Sequence, residues 1–224
     1  MKAVIDSGTM ITLSSTCLMN VFIDFVQHNK MELLVSANVA EESVWRPITN
    51  KRFALNAARI KHAFSEEIVK IVALTPQIEK LQQEILRLAN SAFSTNQGPL
   101  TIIQAGEAEA LALAKVYGAH ALFIDERTTR SLIENPHRLK QVLERRQDQP
   151  ISADEEKLSD FQEMFSFLKV FRSVDLIALA YEQDLFDHEL GHGKIELQAA
   201  LYAAKFAGCA VSEKEIDEFI GAKK

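Results

Sequence analysis

Cysteine is nearly absent from this chain: Cys17 and Cys209 are the only two in 224 residues, and they lie far apart. That usage excludes a disulfide framework and a zinc-finger ligand spacing. Long hydrophobic runs are missing too. No stretch approaches the roughly 20 apolar residues needed to cross a bilayer, and the opening MKAVID has neither an apolar leader nor a small-residue cleavage site. The resulting expectations are no membrane partner and a reducing cytoplasm. Internal repeats and low-complexity tracts are also missing. So is an excess of positive charge: the net charge is −6, which counts against a simple nucleic-acid binder.

The distribution of charge says more than its sum. Residues 45–62, WRPITNKRFALNAARIKH, carry five basic residues, Arg46, Lys51 and Arg52 among them, and no acidic one. Residues 127–146 carry six basic residues against Glu134 and Glu144. Positive patches of this kind coexist with an acidic total. The simpler reading of each run is a solvated helix face.

Hydrophobic residues make up 47% of the chain and charged ones 25%, the ordinary mix of one globular domain. KAVI (2–5), ELLV (32–35) and ALFI (121–124) read as short buried strands, separated by segments of helical period. The first is followed by SGTMITLSSTCLMNVFIDFVQ, and Ser36 or Asn38 caps the helix after the second. From about 47 to 93 the pattern is mainly helical, with an extended break near KIVALTPQ and Pro76 in a first turn. STNQGPL (94–100) reads as a loop, Gly118 as the C-cap of AGEAEALALAKVYG, and ERRQDQPISADEEKLSD as an exposed connection before three or four closing helices. Strands alternating with helices predict a three-layer α/β/α fold around a central, mainly parallel sheet with right-handed crossovers, and a helical C-terminal part.

Two of the strands end directly in aspartate, Asp6 and Asp125, and a third is followed by Glu41-Glu42. Glu107 and Glu109 open a helix just after Gly106. In a parallel sheet these positions converge on one crevice. Carboxylates gathered there repel one another unless protons or cations intervene. Their all-oxygen character suits Mg²⁺ or Mn²⁺, one ion or two. Such ions activate water toward a phosphodiester. Each position also has a plainer role, as a helix cap or a first-turn acid.

The segments AVIDSGTMITL, VSANVAEESV and GEAEALALAKVYGAHALFIDERTTR, in that order, resemble the successive motifs of the PIN domain. The match is strongest to the bacterial and archaeal subgroup with G-E-x-E-A-x-x-L-A followed by D-[DE]-R-x-x-R. The closing ALYAAKFAGCAVSEKEIDEFI is similar to that subgroup's last helices. The resemblance implies a metal-dependent nuclease, with Asp6, Glu42, Glu107 and Asp125 as catalytic metal ligands and Glu109 as an additional carboxylate. Ser7 and Thr9 match the small hydroxyl residues kept beside the first aspartate. Arg127, Arg130, Arg46, Lys51 and Arg52 would meet the substrate backbone. Single-stranded RNA, an antitoxin protein and a second copy of the chain are the partners it implies. Two departures stand out. Residues 47–99 form a mostly helical insertion that compact members lack, and the fifth strand with its small-residue turn is not evident in ENPHRLKQVLERR after Asp125.

His188-Glu189-Leu190-Gly191-His192 spells the H-E-x-x-H of zinc proteases. Context counts against it. Gly191 and Gly193 bracket His192, Ile195 and Gln198 stand where a longer zinc motif needs Gly and His, and no histidine follows. A third ligand would have to be Glu196, Glu213 or Glu215. DSGTM is similar to the nucleophile motif of haloacid-dehalogenase-like phosphatases, but Gly8 stands where that motif needs a second aspartate. A PIN fold acting only as an interaction module is the non-enzymatic alternative.

Overall fold

The structure is a computed structural model and describes residues 1–186 and 190–221. The chain opens on β1 (Lys2–Ile5), whose last three residues are buried. Asp6 stays extended and accepts a hydrogen bond from the Gly8 N–H at 3.1 Å, which starts α1 (Ser7–Ser15). Cys17, at φ +62°, separates α1 from α2 (Met19–His28). After β2 (Glu32–Ser36), the Ser36 hydroxyl accepts from the Val39 N–H and starts α3 (Ala37–Ala40), which widens into a π-helical turn at Glu41–Trp45.

The segment expected as a helical insertion is mostly helical, but it is not an appendage. It holds α4 (Ala54–Ser65), the strand β3 (Val69–Val72) and α5 (Pro76–Ala89), with Thr75 as cap and Pro76 in the first turn. The expected loop at 94–100 is a tight hairpin instead. β4 (Phe93–Thr95) pairs antiparallel with β5 (Gly98–Pro99), and Gly98 takes φ +125°. Then follow α6 (Ala105–Tyr117), ended by Gly118 at φ +63°, β6 (Ala121–Phe123), α7 (Arg127–Glu134) and α8 (Pro136–Gln147). Positive φ at Gly118 is the left-handed C-cap that glycine adopts without a Cβ penalty.

The expected exposed connection contains β7 (Ser152–Ala153), which pairs antiparallel with β4, and the first turns of α9 (Glu155–Phe165). The fifth strand is β8 (Lys169–Phe171), well beyond the segment in which the sequence failed to display it. The chain closes with α10 (Ser173–Glu182), α11 (Lys194–Ala207) and α12 (Glu213–Gly221).

The central sheet is five-stranded and parallel throughout, in the order β3-β2-β1-β6-β8. Ala3 pairs with Leu33 on one side and Ala121 on the other. Strand side chains alternate between two faces. Ala3, Ile5, Leu33, Val35, Val69, Ala121 and Phe123 join one core with α1, α2, α10, α11 and α12. Val4, Leu34, Leu122 and Val170 join the other with α5, α6 and α9. The fold is thus a three-layer α/β/α sandwich. Its interior explains α10: SVDLIALAYEQDLF lies in the core, with Leu176, Ile177 and Ala180 fully buried. Among the described residues no helix is long and apolar enough to cross a membrane.

Phe22 is completely buried in the first core, whereas Ile195 on α11 is 78% exposed. Phe22→Ala should therefore cost about 3–5 kcal/mol, while Ile195→Ala stays within about 0.5 kcal/mol. Urea denaturation checks both; equal midpoints for the two variants would contradict this packing.

Candidate active site

In the strand order β3-β2-β1-β6-β8, the chain runs outward from β1 to β2 and β3, then returns to place β6 on the other side of β1. The crevice outside the carboxyl ends of β1 and β6 is therefore the topological switch point, where α/β sheets bind ligands. Asp6 and Asp125 leave the sheet there. The Asp6 N–H donates to the Phe123 carbonyl at 2.9 Å, extending the β1–β6 pairing by one residue, and the Ile124 N–H donates to the Phe171 carbonyl at 2.8 Å.

Asp6 is half-buried, and its carboxyl is pushed above its ordinary range. Burial is the main cause, opposed by the Gly8 and Ser7 N–H groups and reinforced by the charges of Glu42 and Asp125. Asp125 is also buried but well satisfied. It accepts from the Ser173 N–H at 2.7 Å and the Ser173 hydroxyl at 3.0 Å, placing its charge on the N-terminus of α10. Its negative charge and burial push the nearby Cys209 thiol up to about 12, burial contributing more.

Glu42 projects from the π-helical turn and accepts a long hydrogen bond from the Ser7 hydroxyl at 3.4 Å. Its neighbour Glu41 pairs with Arg46 at 3.3 Å on the surface, so the two adjacent glutamates separate into one facing Asp6 and one facing a cation. Single π turns inside helices recur at functional sites because they re-aim a side chain.

Glu107 closes the capping box of α6, accepting from the Gln104 N–H at 2.6 Å. Even so, its pKa is raised to about 7, first by burial and then by the charges of Glu126 and Asp6. The Thr129 hydroxyl is near enough to temper the shift, but that buried oxygen makes no well-formed hydrogen bond. Glu109, two residues on, is 3% exposed; one oxygen accepts from the Asn38 side-chain amide at 2.7 Å, and the other has no partner.

The buried side-chain polar atoms without a partner among the described residues are Thr9 Oγ1, Glu109 Oε1 and Thr129 Oγ1. Each lies within four residues of a candidate carboxylate. A buried polar atom left unpaired costs about 1–3 kcal/mol; Glu109 Oε1 and Thr129 Oγ1, the latter beside Glu107, carry that cost among the candidate residues. The candidate donors are all oxygens, and Glu109 Oε1 is an orphaned carboxylate oxygen: in kind they fit a hard divalent cation. They are not assembled into a cage. Among the described residues no three His, Cys, Asp or Glu side chains are close enough to share one ion. Asp6, Glu107 and Asp125 spend oxygens on the caps of α1, α6 and α10 instead.

The expected substrate-facing residues divide. Ser7 is bound to Glu42, but Thr9 is fully buried, so it faces the interior and not a substrate. Arg127 is exposed at the start of α7, while Arg130 pairs with Glu134 at 2.8 Å. Arg46 is engaged by Glu41, the Arg52 guanidinium lies over the Phe53 ring at 5.3 Å, and Lys51 is exposed. Sequence reasoning missed Glu126, Ser173 and Asn38 as parts of this site. Glu126 had a signal, since it directly follows Asp125. Ser173 had none that survives without knowing where β8 pairs.

His188 and Glu189 lie outside the described residues. His192 stacks on the Tyr181 ring at 4.5 Å, with Nδ1 3.3 Å from Asp184. Gly191 takes φ +80°, and α11 begins only at Lys194, so His192 is not on a helix. Glu213 is paired with Lys205, and Glu215 with Arg172. No protein-family model, curated protein or solved structure matches the chain.

Glu107 titrates near 7 when folded against 4.5 in its unperturbed state. Between those values the unfolded chain releases this proton and the folded chain keeps it, so stability falls as pH rises. Discounted for partial exposure, the fall is about 2 kcal/mol between pH 4.5 and 7. Glu107→Gln, which keeps an acceptor for Gln104, should flatten that slope in urea midpoints measured across the same range. A slope equal to that of the unaltered chain would mean that Glu107 is not the titrating group.

Proposed function

We propose that the chain is a metal-dependent nuclease of PIN type, hydrolysing phosphodiester bonds in single-stranded RNA. The observation that carries this reading is the convergence of Asp6 and Asp125 at the sheet's switch point, with Glu42 and Glu107 near enough for their charges to couple to Asp6. The order and spacing of the PIN-like motifs support it independently.

Asp6, Glu42, Glu107 and Asp125 would hold Mg²⁺ or Mn²⁺, with Glu109 behind them. Once bound, such an ion supplies Lewis-acid polarisation of a phosphoryl oxygen and a more acidic water. The side chains of this protein do the rest. Ser173 fixes the orientation of Asp125, and Ser7 steers Glu42 toward Asp6. Glu107, whose pKa is raised to about 7 with no cation present, would have to give up its proton to serve as a ligand, so ion binding there should strengthen as pH rises. Arg127, just beyond Asp125-Glu126, is placed to meet a phosphate at the rim.

A second reading, a catalytically silent PIN-like interaction module, draws on the absence of a preassembled cage among the described residues. Cleavage of short single-stranded RNA in Mg²⁺, Mn²⁺ or EDTA separates the two. The nuclease reading expects cutting with Mg²⁺ or Mn²⁺ that EDTA abolishes. Asp6→Asn should lower the rate by at least about 100-fold while keeping the melting temperature, because asparagine caps a helix as well as aspartate. An unchanged rate in that variant removes the site assignment. No cutting by the unaltered chain with any ion leaves the silent module.

A further inference from the structure

Between α7, α8 and the start of α12 lies a pocket of about 260 Å³. Its wall carries four guanidiniums, Arg127, Arg130, Arg138 and Arg172, and two carboxylates, Glu134 and Glu215. The sequence explains the first wall. Arg127, Arg130, Ser131 and Glu134 are spaced i, i+3, i+4 and i+7, so they form one face of α7. Arg138 sits in the first turn of α8, where its N–H donates to Asn135.

The four cations are not equivalent. Arg172 is buried and engaged by Asp175, Glu215 and the Ala210 carbonyl. Arg130 pairs with Glu134. Arg127 and Arg138 make no ion pair or side-chain hydrogen bond with a described residue, although both line the pocket. Two uncompensated guanidiniums face a concavity that also carries the Ser131 and Ser212 side chains. Guanidinium forks flanked by neutral polar groups suit the oxygens of a phosphate. A pair of them matches a terminal monoester, which carries nearly two charges, better than an internal diester, which carries one. The lining comes from α7, α8 and the 210–215 segment, so the two guanidiniums converge on one concavity.

The pocket also shares a wall with the carboxylate crevice. Ala210 donates its N–H to the Asp125 carbonyl at 3.2 Å and offers its own carbonyl to Arg172 at 3.1 Å. We infer that this pocket binds the terminal phosphate of a nucleic-acid strand whose next residues lie across the crevice at Asp6 and Asp125. The choice of a nucleic-acid strand rests on the nuclease reading; the phosphate site does not.

The test measures binding, not cleavage. Short single-stranded RNAs, labelled at one end and bearing a phosphate or a hydroxyl at the other, are titrated in EDTA and followed by fluorescence anisotropy. Both polarities are used. For one polarity the phosphorylated strand should bind at least about tenfold more tightly than its hydroxyl counterpart. Inorganic phosphate should compete for that advantage. Arg138→Gln should remove it, and Arg145→Gln, an equal charge loss at an exposed position of α8 outside the pocket, should keep it. Equal binding of phosphorylated and hydroxyl strands in both polarities overturns the proposal, as does an advantage that survives in Arg138→Gln. Because EDTA is present throughout, a phosphate advantage in a chain that never cleaves sinks the nuclease reading alone. Cleavage without any such advantage sinks this inference alone.

Discussion

The parallel pairing of β1 with β6 forces Asp6 and Asp125 out of the sheet side by side, and the rest of that edge is arranged around two carboxylates in a dry place. Asp125 is buried and Asp6 half-buried. Removing a carboxylate from water costs several kcal/mol unless hydrogen bonds or opposite charges replace the lost hydration. The fold meets that cost unequally. Asp125 receives two donors from Ser173 at the start of α10. Asp6 receives backbone donors from its own helix start, and its raised pKa records what those donors leave uncompensated.

Glu107 and Glu109 extend the same tension to the next helix. A glutamate at the third position of α6 belongs there as a capping-box residue, yet burial and two neighbouring carboxylates move it to about 7. Glu109 is held by Asn38 through one oxygen only. A fold selected for stability alone would replace such groups with apolar ones of similar volume, commonly without loss. Keeping four or five carboxylates around one crevice makes physical sense when a cation or a transferable proton enters the account. The oxygens committed to helix caps then have a second consequence. Any ion that binds competes with N–H groups worth about 1 kcal/mol each, so binding and local helix geometry are coupled.

Most of this was legible in the sequence, and the exceptions share a cause. β1, β2 and β6 could be read because each is a short apolar run with a polar terminator, which also put Asp6 and Asp125 at the strand ends; Glu42 and Glu107 were singled out by the resemblance to PIN motifs. β8 could not. Three residues, KVF, carry no measurable period, and pairing with β6 alone makes them a strand. Ser173 was invisible for the same reason, since its role exists only once β8 lies beside β6. STNQGPL had every mark of a loop; Ser94 and Thr95 pair with Pro99 and Gly98 in a hairpin, and β4 is held further by β7, where Ser152 lies opposite Ser94. Thr9 was misplaced because a hydroxyl beside an aspartate suggests an exposed site, whereas α1 is packed against α2, α4 and α11 and buries it. Local pattern reports local structure; what depended on distant pairing stayed hidden.

Arg172 is where the two halves of the site meet. It follows β8 directly, and its guanidinium reaches Asp175 on α10 and Glu215 on α12 while donating to the Ala210 carbonyl. Glu215 is held down to about 2 by the Ser212 N–H and hydroxyl together with Arg172, against its own partial burial. Losing Glu215 would leave the buried Arg172 charge with Asp175 as its remaining ion-pair partner among the described residues. The bridge thus holds the C-terminal helix against the strand ends, and Ala210, which it holds, donates in turn to the Asp125 carbonyl. Hydrogen bonds at the Ala210 backbone, one to the Asp125 carbonyl and one from the Arg172 guanidinium, connect the acidic crevice to the arginine wall. In a chain of net charge −6, an anionic strand is repelled by most of the surface. If the chain binds such a strand, as proposed, the guanidiniums of Arg127 and Arg138 would offer it an approach, and the Arg172 bridge would hold that approach next to the Asp125 backbone.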